Sequence, residues 1–403
     1  MLDKIEHDLT VQESRKNKRP EKTLAYFKVA IELFVLNLLQ AHRFSSKTRS
    51  VLVSVPLNKN EYGLNNRYTP RNMTYKPFKA AYDGLRNCGY IAVVYDGFNF
   101  SNGDAAQTRI TATDKLLKLS KPLLDDTQFR FIYRKPEQPE ESIILKDGQK
   151  KKTPYTDTPF TLRARERLAF INNVLSGHSY GLDLSPAQEK ELNSWLARSD
   201  QPYVDFAAVQ LQRIFNNGSF EQGGRFYGAW WQNFPKALRK CITIDGKSTA
   251  ELDYSQLHIS MMYAELGLPV PEKAYFIHPK VSRAVSKEAV NALISASGIP
   301  NPVDGFSEED AGVSWLEFID LIKAKHSPLV KADMLLKGYG LKLQCEDAAL
   351  AESIMLYFAE QDVPCLCLHD GFLIQSDKAT ALMTIMKDCY RSTFGQSIEV
   401  RVK

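Results

Sequence analysis

Two acidic side chains, Asp253 and Asp370, each close an apolar run with strand character: Glu251-Leu252-Asp253-Tyr254-Ser255-Gln256-Leu257-His258 and Cys367-Leu368-His369-Asp370-Gly371-Phe372-Leu373-Ile374. A lone Asp at a strand end is ordinarily a helix cap. Two of them on neighbouring strands can instead hold two divalent metal ions, as phosphoryl transfer to a nucleotide requires. Basic residues suited to the same chemistry lie between them. Arg283 and Lys287 are four apart, so on a helix they share one face, continued by Asn291 and Ser295. Two cations in line suit an incoming triphosphate, or form a solvated basic face. A shift of helix register transfers that role to Lys280 and Arg283. Upstream, residues 218–228 are rich in glycine and aromatic side chains around Arg225. Glycines let backbone approach a ligand closely, and an arginine there can contact a phosphate.

These residues need a framework. The 403-residue chain is long enough for two or three domains, with the 44% apolar and 25% charged content of a soluble globular protein. A net charge of +5 permits a nucleic-acid partner without demanding one. The cysteines have no Cys-x-x-Cys pair and no His pair has zinc spacing, so they read as reduced core thiols of a cytoplasmic protein. Residues 1–22 carry no apolar signal core, and the apolar stretch 24–41 is interrupted by Lys28, Glu32 and Gln40, which suits a buried helix better than a membrane span.

Along the chain, residues 1–21 read as a disordered basic tail and 22–42 as a helix. Residues 74–88 form a second helix with Pro77 in its first turn and Gly89 as its stop; strands at 90–95 and 108–112 and a helix from 114 follow. This order makes 22–133 resemble winged-helix nucleic-acid-binding domains, with Lys76, Lys79 and Arg86 on the polar positions of a groove-entering helix. A purely structural or protein-docking role is the alternative. Residues 134–160 read as a linker, with a short hairpin at 142–155. Residues 161–217 read as a helical region, with helices at 161–176, 185–198 and 202–216. Asp245-Gly246 marks a hairpin tip, strand 249–254 leads to Asp253, and helix 347–361 leads into a strand, the His369-Asp370 turn and a return strand.

Asp253-Tyr254-Ser255-Gln256 and His369-Asp370 resemble motifs A and C of the family A DNA polymerases and single-subunit RNA polymerases. The Asp-Tyr-Ser-Gln string is specific to the DNA enzymes; His-Asp in a hairpin is shared. Gly224-Arg225-Phe226-Tyr227 resembles the Gly-Arg segment before motif A, and Arg283-x-x-x-Lys287 resembles motif B. The resemblance covers residues 218–395. It implies an α+β fold: a right-hand palm at 218–403 with reduced fingers, the helical region 161–217 as a thumb, and no proofreading exonuclease. It implies two Mg²⁺ or Mn²⁺ ions on Asp253, the Tyr254 carbonyl and Asp370, with Arg225 near the primer end and template and His369 supporting the primer terminus. The expected partners are DNA template, nucleoside triphosphates and a replication accessory protein. The expected location is the cytoplasm at the nucleoid, in the setting of a plasmid, phage or mobile element.

Four departures matter. Asn291 and Ser295 replace the aromatic and the Tyr that normally follow the motif B Lys. Gly371 stands where the DNA enzymes carry Glu and the RNA enzymes commonly Ser, so a third carboxylate is missing. His258 stands where a Glu helps exclude the ribose 2′-hydroxyl. Motif B also lies closer to motif A than in the family. Together they imply a DNA polymerase with tolerance for ribonucleotides and the capacity to start chains as a primase. The alternatives are a phage-type RNA polymerase and a non-catalytic replication initiator that kept a polymerase-like body.

Overall fold

The computed structural model describes all residues except 14, 16, 46–49, 63–66, 69–73, 100–104, 126–140 and 200–202. The chain is mixed α and β, with largely antiparallel sheets, and divides into two compact units. One comprises residues 1–141 and 186–208, the other 142–185 and 209–403.

In the first unit, helices Leu2–Gln12, Glu21–Phe44 and Tyr75–Asn87 pack around a core that includes Ile5, Leu9, Phe34, Leu38, Phe78 and Leu85. The expected tail is therefore helical over Leu2–Gln12: Ile5 and Leu9 are four apart, and burying both offsets the polarity of the rest. Among the described residues, Glu21–Phe44 alone is long and apolar enough to cross a membrane; half of its most apolar window is buried within the protein. Helix Tyr75–Asn87, strands Ile91–Tyr95 and Thr108–Ala112 and helix Asp114–Leu119 follow in the expected order, with Gly89 at φ +70° making the turn. Strand Val53–Val55 adds to the free edge of Thr108–Ala112. Part of the expected linker, 134–140, lies outside the described residues.

The helical region expected at 161–217 is not one body. Helix Pro159–Gly177 belongs to the second unit, whereas helix Pro186–Arg198 belongs to the first, where Tyr203 stacks on Phe44 with ring centroids 3.8 Å apart. Residues 212–216, expected as helix, form strand Gln212–Asn216. Arg213 and Phe215 are buried while Gln212, Ile214 and Asn216 are less so, a period of two that outweighs the apolar residues preceding it.

The second unit is built on two sheets. In one, Ile143–Leu145 runs parallel to Gln212–Asn216, which pairs antiparallel with Ser219–Tyr227. Most of the glycine-rich segment is thus a strand. Gly223 and Gly224, at φ +77° and +79°, bend it just before Arg225; a Cβ on Gly224 would lie 2.6 Å from the Phe215 ring. The other sheet is antiparallel, in the order Leu366–Leu368, Gly371–Gln375, Lys247–Tyr254, Ile242–Ile244, Tyr180–Leu182, with Val400–Val402 pairing the end of Lys247–Tyr254. Helix Gly340–Ala359 packs on Ser219–Tyr227 and on helices Pro159–Gly177, Leu257–Glu265, Arg283–Ser295 and Ala379–Phe394. It begins about two turns before the position expected from sequence.

One buried histidine ties several of these pieces together. His326 is fully buried; its Nδ1 lies 3.0 Å from the Tyr263 hydroxyl and its Nε2 lies 3.0 Å from the Ala274 carbonyl oxygen. A carbonyl only accepts, so Nε2 carries the proton and Tyr263 donates to Nδ1. Burial pushes the imidazole pKa down from 6.5 to about 4, against the opposing hydrogen bond to Ala274. The folded protein therefore holds His326 neutral while the unfolded chain protonates it below pH 6.5. The resulting stability is complete above that pH and is lost as pH falls through about 4. We expect about 3 kcal/mol of stability to disappear between pH 7 and pH 4 through this group. In His326→Leu the loss across that interval should be smaller by this amount, measured as urea unfolding free energies at both pH values; an unchanged pH dependence would exclude His326 as its source.

Candidate active site

Strand pairing brings the two acids together. The Asp245-Gly246 tip has φ +51° and +75°, the positive pair that a two-residue hairpin turn demands, and it launches strand Lys247–Tyr254. That strand pairs with Gly371–Gln375 so that Asp253 faces Gly371 and Leu252 faces Phe372. Leu368 also pairs with Gly371, leaving His369 (φ +68°) and Asp370 as the centre of the second hairpin. The Tyr254 N–H donates to the Asp370 carbonyl at 3.3 Å. Trp231, fully buried, anchors this hairpin by donating from Nε1 to the Cys367 carbonyl at 3.0 Å.

The Asp253 carboxylate feels its neighbour. Burial and then the Asp370 charge raise its pKa above the usual carboxylate range, while Lys403 and Lys287 work in the opposite direction. Asp253 Oδ1 is buried and has no hydrogen-bond partner. Gly371 makes room for it: a Cβ there would lie 3.1 Å from Asp253 Oδ1 and 3.0 Å from the Leu252 carbonyl oxygen. A side chain at this position would press on the Asp253 carboxylate.

A buried anionic oxygen without a donor suits a cation. Among the described residues no group of three or more His, Cys, Asp and Glu side chains could hold a metal ion. The two carboxylates and the Tyr254 carbonyl are thus the groups the chain offers, leaving the remaining positions of a Mg²⁺ shell to water and phosphate oxygens. The Tyr254 side chain is committed elsewhere, its hydroxyl donating to the Met386 carbonyl at 2.6 Å.

Behind the dyad lies a network that sequence reasoning missed. Asp347, on helix Gly340–Ala359, is 2% exposed. It accepts from Arg225 Nε at 3.1 Å and from Arg225 Nη2, and its Oδ2 lies 2.8 Å from His258 Nε2. Arg225 and His258, singled out separately, are therefore joined by an acid that neither motif contains. A second buried pair on the same helix follows the same logic: Glu352 accepts from Arg213 at 3.2 Å, and Arg213 also donates to the Gly224 carbonyl at 2.8 Å. The available signal was an acid on the apolar face of an amphipathic helix, which demands a cationic partner.

The remaining residues are distributed as follows. Ser282 caps helix Arg283–Ser295 by accepting from the Val285 N–H, and Arg283 and Lys287 are exposed on it. The Arg283 guanidinium lies 5.4 Å from the Tyr275 ring centroid, and the Asp370 charge reaches Tyr275 as well, so the start of this helix borders the dyad. Asn291 is half-buried. Ser295 packs against Gly340, where a Cβ would lie 2.6 Å from its Oγ. Lys280, the competing cation, lies near Gly312 instead: a Cβ there would be 3.3 Å from its Nζ. His369 packs edge-on against the Tyr227 ring with centroids 5.2 Å apart; burial, then Arg225, lower its pKa. Lys76 and Arg86 are exposed on their helix in the first unit, and Lys79 is engaged with Asp83.

No protein-family model matches the chain, and no curated protein matches it. Among solved structures it is similar to the POL domain of Pol1 from M. smegmatis in complex with DNA primer-template and dNTP, at 14% identity and a TM-score of 0.33. The likeness covers 64% of this chain and 57% of that one, so the chain spans a little over half of that structure. A likeness of this size carries no weight for function, which rests on the chain's own residues.

The Asp347 network is a buried charge cluster, and removing one member strands the others. Asp347→Ala should cost about 3–5 kcal/mol of stability, read from chemical denaturation. A loss as small as that of an exposed salt bridge would mean that Arg225 and His258 reach solvent instead.

Proposed function

We propose that this chain is a template-directed nucleotidyltransferase of the DNA-polymerase type that works through two divalent metal ions. The observation that supports the reading is the strand register that pairs Asp253 with Gly371, the residue next to Asp370, with one Asp253 oxygen buried and unpartnered. In this reading the antiparallel sheet is a palm and helix Arg283–Ser295 is a short finger. The first unit is a winged-helix-like module that meets template DNA through Lys76, Lys79 and Arg86.

When bound, Mg²⁺ or Mn²⁺ would supply Lewis acidity at the chain's 3′-hydroxyl and at the triphosphate. Asp253, the Tyr254 carbonyl and Asp370 would hold those ions. Lys287 and Arg283 meet the charge of the triphosphate and of the departing pyrophosphate. Arg225, oriented by Asp347, contacts the primer–template, and His369, braced by Tyr227, supports the primer terminus. Placement and electrostatics carry the rate, and no side chain forms a covalent intermediate.

Selection between sugars should be weak. His258 Nε2 is taken up by Asp347, and Ser295 is small and packs against Gly340. Ser295 lacks the bulk, and His258 the carboxylate, that would reject a 2′-hydroxyl, which also suits chain initiation by a primase.

Primer extension on a single-stranded template with Mg²⁺ or Mn²⁺ tests the reading. Asp253→Ala and Asp370→Ala should each lower extension by at least about 10³-fold, equivalent to about 4 kcal/mol of transition-state stabilisation. Template binding by fluorescence anisotropy should stay near that of the unaltered protein. Extension that survives both substitutions would refute the two-metal assignment, and template binding without any extension would favour a replication initiator. Separately, ribonucleotides and deoxyribonucleotides should be incorporated at rates within about tenfold of each other, a difference of about 1.4 kcal/mol. Strong rejection of ribonucleotides would remove the claim about His258 and Ser295.

A further inference from the structure

Lys403 stands against the carboxylate on which the proposed reaction depends. Strand Val400–Val402 pairs with the Asp253 strand, placing Asp253 opposite Arg401 and Leu252 opposite Val402. The pairing continues for one more residue: the Lys403 N–H donates to the Glu251 carbonyl at 2.9 Å. That contact brings the Lys403 ammonium 2.6 Å from Asp253 Oδ2 and 3.2 Å from Glu251 Oε1. Glu251 and Asp253 are two apart on one strand, so both carboxylates face the same side. The ammonium bridges them at charge-assisted hydrogen-bond distance from Asp253.

Asp253 therefore has one oxygen on a cation and one, Oδ1, without any partner. The two carboxylates together give the Lys403 ammonium its counter-charge. A divalent ion on Asp253 would seek the same negative charge. Two cations crowded onto one carboxylate repel each other, and Lys403 is the one that can leave: its side chain is 38% exposed and water can receive it.

We propose that Lys403 belongs to the metal site as a tethered cation, one that holds the Asp253 carboxylate while no divalent ion is bound and is exchanged for the ion on binding. The proposal rests on the two-metal reading and adds a residue that none of the recognised motifs contains. In the ion-free protein Lys403 supplies the cation that faces Asp253 Oδ2. The same contact makes ion binding a competition and so weakens it.

The test is Mn²⁺ binding to the full chain without DNA or nucleotide, followed through the electron paramagnetic resonance signal of free Mn²⁺. Four proteins are compared: unaltered, Lys403→Met, Asp253→Asn and Asp370→Asn. Circular dichroism confirms that each is folded. Lys403→Met should bind Mn²⁺ about fivefold more tightly, the scale on which a partly exposed ion pair competes. Asp253→Asn and Asp370→Asn should lose the site. Equal or weaker binding by Lys403→Met overturns the proposal while leaving the two-metal reading intact. Binding that survives both Asp→Asn changes, or is absent from the unaltered protein and from Lys403→Met alike, overturns the reading and the proposal with it.

Discussion

The pairing of two antiparallel strands is the constraint from which the candidate site follows. Side chains alternate along a strand, so a slip of one residue between Lys247–Tyr254 and Gly371–Gln375 would take Asp253 off Gly371 and send its side chain to the opposite face of the sheet. Several features hold the register. The Asp245-Gly246 turn fixes one end, and Trp231 bonds the Cys367 carbonyl next to the second hairpin. Leu252, Phe372 and Leu373 are fully buried, so a shift would have to repack them. Gly371 then allows the Asp253 carboxylate to lie over its backbone, a closeness that any side chain would oppose.

A second device fixes what surrounds the acids. Helix Gly340–Ala359 buries Asp347 and Glu352, and each takes an arginine from the neighbouring sheet, Arg225 and Arg213 respectively. Such pairs are weak contributors to net stability, because desolvation offsets most of their attraction. Their geometric effect is larger. A buried acid accepts a guanidinium only in a narrow set of orientations, so Arg225 is held where it borders His258 and the dyad. His326 performs a related task through neutral hydrogen bonds, linking Tyr263 to the Ala274 carbonyl one residue before Tyr275, which lies under Arg283.

Much of the local structure could be read from residue order. The helix–strand–strand–helix succession around Gly89, the Asp245-Gly246 tip and the His369-Asp370 turn all stand where local patterning puts them, because turn chemistry and apolar period act over a few residues. Failures came where distant partners decide. Residues 2–12 look too polar to fold, yet Ile5 and Leu9 find a core supplied by helices far along the chain. Residues 212–216 take strand form because a parallel neighbour, Ile143–Leu145, and the bulged Gly223-Gly224 strand receive them on either side. The stretch expected as one helical region is shared between two units, a division that no composition change announces.

For the candidate site, the sequence alone determined which residue types could do the chemistry: Asp253, Asp370, Arg225, Arg283, Lys287, His258 and His369 are all legible from short motifs. Only the tertiary structure decided how they are joined. It supplied Asp347 as the shared partner of Arg225 and His258, brought Lys403 to Asp253, and left Lys280 near Gly312. The physical reason is range. A motif records constraints within one turn or one hairpin, whereas a buried charge must be balanced by whichever opposite charge the fold brings to it, and that partner can lie anywhere in the chain.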